Sequence, residues 1–248
     1  MKPKISVITV VKNGYPYIKE SVDSFISQNY QNKELIIVYS KSSDQTENYL
    51  KSFKNKFKLI HDYNSKNMYG SINVGLKNVT GQIICLLHSD DVFDGTNILS
   101  SISKEYMKNN FKMLYGDIKF SKRDNINKIV RYWQSGEFRL TNLKFGWVPP
   151  HTSIFLDKSV AINNLYSTDF SISGDYDYIL NLLLKKKIFP FYLKKNLIIM
   201  RNGGNSTKIT KLFVKLFQDI KIARKYFRYF FLITVFFKIF RKVNQILY

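Results

Sequence analysis

An open α/β fold, with a mostly parallel sheet flanked by helices and a basic, aromatic, helical C-terminal extension, is predicted by three features of this chain. Apolar β-branched runs alternate with segments of helical period over the first hundred residues. Polar and acidic residues cluster where those runs end, the edge at which open α/β sheets bind ligands. After Gly203-Gly204 the composition shifts to Lys and Arg interleaved with Phe and Tyr. The 248 residues suffice for one large domain, or for one domain with a helical appendage.

Taken in order, Ile5 to Val11 (ISVITVV) lies between Pro3 and Asn13-Gly14 and is apolar nearly throughout, as expected of a strand buried on both faces. Its apolar stretch is short and lacks a small-residue cleavage site, so it reads as a first strand and not as a secretion signal. Ile18, Val22, Phe25 and Ile26 then recur at helical spacing, and Leu35 to Tyr39 forms the second strand-like run. The loop Ser42 to Glu47 ends in a helix cap, with Asp44 able to accept amide hydrogen bonds and Glu47 three positions on. Strand-like Phe57 to Ile60, a helix around Ser71 to Asn78 and a strand from Gln82 to Leu87 continue the alternation. Beyond it come a helix near Ile102 to Asn110, a strand near Met113 to Phe120 and a polar, Trp-containing stretch to about Gly146. Pro149-Pro150 introduces a short run His151 to Leu156, and Asp175 to Lys185 predicts a helix with Tyr178, Ile179, Leu182 and Leu183 facing inward.

The formal charge of +21, from 39 Lys and Arg against 18 Asp and Glu, favours anionic partners: nucleotide phosphates, nucleic acid or acidic lipid. Cys85 is the only cysteine, which excludes a disulfide framework and a Cys-based zinc site within one chain and suits a reducing compartment. No segment has the roughly 20 apolar residues of a membrane-spanning helix.

The strand ending at Leu87 runs into His88-Ser89-Asp90-Asp91, which sets two carboxylates at the ligand-binding edge. Clustered carboxylates are costly unless a cation joins them, and hard oxygen ligands suit Mg²⁺ or Mn²⁺. Such an ion, bridging a diphosphate, neutralises the charge on a departing nucleotide. Alone, Ser-Asp-Asp serves equally as a turn or a helix cap, and Asp175 at a helix start is by itself a cap.

Four segments occur together in order and spacing: ISVITVVKNGYPYIKESVDSFISQNYQNKELIIV, KNMYGSINVGLKNVTGQIICLLHSDD, HTSIF, and SGDYDYIL with GGNS. Through them the chain resembles the family 2 glycosyltransferases of the GT-A fold over roughly residues 4 to 207. The resemblance implies a Rossmann-like sheet in a domain of residues 1–207, with 208–248 as a separate basic tail. It implies inverting transfer from a nucleotide-sugar donor, expected to be UDP-linked, to a hydroxyl of a glycan or lipid-linked acceptor in bacterial surface polysaccharide synthesis. By position, Thr9, Asn13 and Asp44 line the nucleotide pocket, and Lys66 and Asn73 lie beside the donor. Asp90 and Asp91 take the Asp-x-Asp-like metal position, Asp91 in direct contact, with Mn²⁺ or Mg²⁺ as cofactor. Asp175 matches the general base, with Asp177 and His151 in support, and Gly203 to Ser206 matches a loop over the donor phosphates. A carboxylate in that role fits the chemistry, because a sugar hydroxyl must lose its proton as it attacks.

Two departures bear on the donor. Tyr39 stands where most relatives carry an Asp that contacts the base, so Tyr39 either stacks on a base or fills the strand end, and uridine as the donor nucleotide is open. Asn67 and Gly70 replace the usual Gly and Asp of the Lys66 to Asn73 segment, which leaves the sugar open.

Residues 211–248 carry nine Lys or Arg against Asp219 alone, with apolar residues in helical blocks such as Leu212, Phe213, Leu216 and Phe217. Tyr229 to Phe237, the longest uncharged run, is too short to span a bilayer. Arg228, Lys238, Arg241 and Lys242 suit an interfacial helix on anionic headgroups at the inner face of the cytoplasmic membrane. The alternative is a helix packing its aromatic face on the domain. A nucleic-acid-binding protein is the rival reading from charge, but no recognisable module is present and nucleic acid is not expected. A nucleotidyltransferase would need a longer, Gly-rich phosphate loop than Lys12-Asn13-Gly14-Tyr15. A non-catalytic lipid-binding scaffold is the third alternative.

Overall fold

The structure, a computed structural model, describes residues 1–203 and 209–244. Strands β1 (Ile5–Val11), β2 (Lys33–Tyr39), β3 (Lys58–His61) and β4 (Ile83–Leu86) alternate with helices α1 (Tyr17–Ile26), α2 (Thr46–Lys51) and α3 (Met68–Leu76). Next come β5 (Val92–Phe93), α4 (Ile98–Asn109), β6 (Met113–Ser121), β7 (Ile129–Trp133) and β8 (Phe155–Asp157). The chain continues with α5 (Lys158–Asn163), α6 (Gly174–Leu180), a π-helical turn Asn181–Lys185, β9 (Phe191–Arg201), α7 (Ile209–Phe227) and α8 (Phe231–Asn244).

The sheet runs β3-β2-β1-β4-β8-β6-β9-β5, with β7 on the free part of β6. The first four strands are all parallel, and most of the pairing register is parallel, as the sequence predicts. Short antiparallel contacts through β8 and β5 join the second half. Side chains alternate across β1: Ile8 joins the core on one face, and Ile5, Val7 and Val11 the core on the other. Burial on both faces explains why that run contains almost no polar residue.

Helix α4 begins at Ile98, four residues before the expected start, β5, β7 and α5 had no forecast, and three further differences have a clear physical reason. Helix α3 begins at Met68, earlier than the apolar spacing indicates, because Asn67 caps it by accepting the Tyr69 and Gly70 amides. The expected helix from Asp175 keeps its inward apolar face but relaxes into the π-helical turn at Asn181. Strand β9 had no forecast in the sequence: Lys194, Lys195 and Asn196 interrupt its apolar run, and its place beside β6 comes from tertiary pairing.

The tail forms a helical hairpin on the domain. Ile222, Ala223, Phe227 and Val235 are buried in the same core as α3 and α6, each larger side chain contributing on the order of 1.5–3 kcal/mol. Helix α8 lies so close to the 3-10 turn Leu140–Phe145 that a Cβ on Gly146 would fall 2.4 Å from the Lys238 backbone nitrogen. Thr234 Oγ1 donates to the Lys144 carbonyl at 2.8 Å. The expected boundary between residues 207 and 208 lies outside the described residues.

Candidate active site

The carboxyl ends of β1 and β2 are stitched together by the side chains of their loops. Asn13 sits at φ 53°, and its Oδ1 accepts the Ser43 amide at 2.8 Å while its own amide donates to Ser42 Oγ. Asp44 accepts the Tyr15 amide at 3.0 Å and the Thr46 amide at 2.9 Å, and Glu47 accepts the Ser42 amide at 2.8 Å. Burial would raise the Asp44 carboxyl, but these hydrogen bonds hold it below its usual value. Thr9 is buried within β1, two residues short of the strand end. Tyr39, at the end of β2, packs edge-on against His61 at 4.7 Å, and exposed Tyr63 stacks on His61 at 3.8 Å.

Lys66 is exposed just before α3. Asn73 is committed elsewhere: its amide donates to the Tyr166 carbonyl and its Oδ1 accepts the Tyr166 amide, both at 2.9 Å, tying α3 to the segment leading into α6.

Asp90 and Asp91 follow β4 but occupy different surroundings. Asp90 is part-exposed and 3.2 Å from Arg123 Nη1. Asp91 is 2% exposed, its Oδ1 accepts the Arg201 amide at 3.2 Å, and its Oδ2 is buried without a partner. Burial, and then the charge of Asp90, push the Asp91 carboxyl well above its ordinary range. Arg123 and Arg201 flank the Tyr17 ring at 4.6 and 4.8 Å, and Arg201 pairs with Glu20 at 2.6 Å. Sequence reading missed both arginines; Arg201 lies two residues before the GGNS segment, whereas Arg123 lies in a polar stretch with no signal.

Asp175 is the second residue of α6. Its Oδ1 accepts the Tyr176 amide and lies 3.3 Å from the Tyr69 hydroxyl, which donates to the Ile172 carbonyl at 2.6 Å. Burial would raise its carboxyl, but His151, Lys238 and Lys215 outweigh it and bring the value below the ordinary range. His151 is itself pushed down to about 4, by burial first. Its Nε2 is 2.7 Å from the Tyr166 hydroxyl, and Tyr166 stacks on Tyr178 at 3.8 Å. The His88 ring lies 6.1 Å from that of His151, whose hydroxyl partner Tyr166 stacks on Tyr69, the residue bonded to Asp175, so the two acidic segments are linked through one aromatic cluster.

Asp177 points elsewhere, since residues two apart on a helix project from opposite sides. It is paired with Lys225 of α7 at 2.7 Å. Lys238, expected to face lipid, is instead buried, 2.7 Å from Asp219 and 3.3 Å above the centre of the Tyr176 ring. Gly203 is described at φ 82°, while Gly204 to Ser206 of the expected phosphate loop lie outside the described residues.

The carboxylate pair fits a divalent ion. Asp90 is part-exposed and Asp91 holds an unpartnered buried oxygen beside it, while no cluster of three or more His, Cys, Asp or Glu occurs among the described residues. Such an ion would take its remaining oxygens from a diphosphate or water.

Comparison with known proteins gives the family and the fold. The model for Glycosyl transferase family 2 matches residues 6–159. A β-1,3-glucosyltransferase of Escherichia coli, WfgD, acting from UDP-Glc on α-D-GlcNAc-diphosphoundecaprenol, is 30% identical over 123 residues, 49% of this chain and 48% of that protein. The chain spans less than half the length of the first curated relatives it matches. Among solved structures, residues 1–349 of Staphylococcus aureus TarS with UDP-GlcNAc align at TM-score 0.67 and 17% identity, covering 90% of this chain and 67% of that one. The mannosyltransferase PcManGT of Pyrobaculum calidifontis, with GDP-Man and Mn²⁺, aligns at TM-score 0.67 and 14% identity, covering 92% and 65%. At these identities the two structures speak for the fold.

Proposed function

The chain belongs to glycosyl transferase family 2, and from that premise we propose that it is an inverting glycosyltransferase using a nucleotide-sugar donor and a glycan or lipid-linked acceptor in bacterial surface polysaccharide synthesis. The observation carrying the reading is the chain of contacts that runs from His88, two residues before Asp90, through His151, Tyr166 and Tyr69 to Asp175. The donor lies over the ends of β1 and β2, with its diphosphate toward Asp90 and Asp91. Asp90 and Asp91 would hold Mn²⁺ or Mg²⁺, which when bound neutralises charge on the leaving diphosphate. Arg123, beside Asp90, adds a fixed positive charge at the same place.

Asp175 takes the proton of the acceptor hydroxyl as it attacks the anomeric carbon from the face opposite the diphosphate. Its lowered proton affinity keeps it ionised at neutral pH. A UDP-linked donor is the first expectation because of the glucosyltransferase relative and the TarS complex. Tyr39 and Tyr63 offer the base aromatic faces in place of the missing carboxylate.

The acceptor reading includes contact with the cytoplasmic face of an anionic membrane. No described helix is long and apolar enough to cross a bilayer. Leu232, Ile233, Phe236, Ile239 and Phe240 nevertheless form one exposed stripe on α8, and Phe213 and Phe217 another on α7, with Lys211, Lys221, Arg224 and Arg228 nearby in sequence.

Nucleotide release from UDP-, GDP- and dTDP-sugars with Mn²⁺, with and without membrane extract, tests the enzyme reading. One donor should turn over and raise the melting temperature, and failure of all of them would sink it. Sedimentation with phosphatidylglycerol vesicles tests the membrane reading: binding should be lost in Phe236→Glu/Phe240→Glu, and equal binding by the variant overturns it.

A further inference from the structure

We infer that Gln218, on α7, is a positioning residue that fixes the turn carrying the base, so that the helical tail completes the acceptor side of the active site. The inference rests on the reading of Asp175 as the base.

Helix α6 has seven residues and a weak beginning. Its N-cap, Ser173, makes no side-chain cap, and the Ser173 hydroxyl is buried without a partner. An uncapped short helix frays from its first turn. Asp175 stands in that turn, so the place of its carboxylate depends on where the helix starts.

Two groups hold the approach to this turn from opposite sides. From the domain, Tyr69 donates to the Ile172 carbonyl and lies so close to Gly174 that a Cβ there would meet its ring at 2.7 Å. From the tail, Gln218 Oε1 accepts the amides of both Ile172 and Ser173 at 3.0 Å, and its Nε2 donates to Ser171 Oγ at 3.0 Å. Gln218 thus holds, from another helix, the amide of the N-cap residue and the one before it, the place that the reciprocal acceptor of a capping box takes.

The neighbouring contacts run the same way. Lys225 pairs with Asp177, the Tyr226 hydroxyl donates to the Asp177 carbonyl, and Lys238 sits over Tyr176. The hydrogen bonds of Gln218 go to residues 171–173, whereas Asn13 and Asp44 bind the loops after β1 and β2, so its loss should act on the attacking hydroxyl and leave donor binding alone.

Steady-state kinetics of the full chain with the best donor of the panel, comparing Gln218→Met, Gln218→Glu and Asp175→Asn, tests the inference. Gln218→Met should lower kcat by about 10- to 100-fold, the order expected when a catalytic group shifts by about 1 Å, with donor KM within about twofold of wild type. Gln218→Glu keeps an acceptor for both amides and should recover most of kcat. Its added negative charge near Asp175 should move the acidic limb of the pH profile upward. Wild-type kcat in Gln218→Met while Asp175→Asn is inactive overturns the inference and spares the base. Equal loss in Met and Glu variants with an unmoved pH profile reduces Gln218 to a structural role and also overturns it. Full activity in Asp175→Asn removes the base and the inference together. Should the Met variant not fold, Gln218→Asn, one methylene shorter, carries the same expectations.

Discussion

On the donor side, Asn13, Asp44 and Thr46 join two loops about thirty residues apart, each following a strand of the same parallel pair. On the base side, Gln218 and Lys225 reach α6 from 45 to 48 residues further along the chain, through helices that are no part of the sheet. The first arrangement is set by adjacent strands and forms wherever they pair. The second exists only when the tail is docked. Donor binding and base placement should therefore respond to different perturbations.

The largest expected effect separates the two halves at once. Asp175→Asn should cut transfer by about 10²- to 10⁴-fold, the range of general-base catalysis, while thermal stabilisation by donor nucleotide is retained. Loss of nucleotide binding in that variant would break the separation.

Next in size is the buried pair that docks the tail. Asp219→Asn leaves Lys238 buried without its partner and should cost about 3–5 kcal/mol, because an uncompensated buried charge is the expensive outcome. A fall of roughly 10 °C in Tm follows for a chain of this size. Replacing both residues, Asp219→Leu with Lys238→Met, should restore Tm, since apolar side chains fill such sites at little cost.

A pH effect comes third. Unfolded, His151 takes a proton near 6.5, whereas burial in the fold defers this to about 4. Between those values the unfolded state binds more protons, so stability falls as pH drops from 6.5 to 4, by roughly 3 kcal/mol or less from this group. His151→Gln should flatten that part of a Tm-against-pH curve, and an unchanged slope would assign the effect elsewhere. The smallest change is Asp44→Ala, which removes two charged hydrogen bonds at about 1–3 kcal/mol in all. It should raise donor KM and leave kcat near wild type, the reverse of the pattern expected at Gln218.

Much of the first half was legible because its signals are local. The β-branched run Ile5 to Val11 could bury itself only as an inner strand, and Asp44 was visible as an amide acceptor two residues before a helix. What motif letters do not convey is whether a matching side chain faces the ligand or ties the loop that does. Asn73 shows this: both ends of its amide are bound to the Tyr166 backbone. Asp90 and Asp91 are adjacent letters, yet one is part-exposed beside Arg123 and the other is buried, with one oxygen on the Arg201 amide and only the other left for a cation. Gln218 was illegible for another reason. It is one polar residue on an amphipathic helix, and its partners are backbone amides that have no letter of their own.

The distance along the chain between Gln218 and the turn it holds also sets an order of events on the ribosome. Ile172 is joined to the nascent chain 46 residues before Gln218. At about 5–20 residues per second that is roughly 2 to 9 s of synthesis. During this interval the early strands can pair and their loops can close, but the approach to α6 is held from the domain side only, by Asn67 and Tyr69. On the proposed reading, the donor loops of each new molecule are thus in place before its base is.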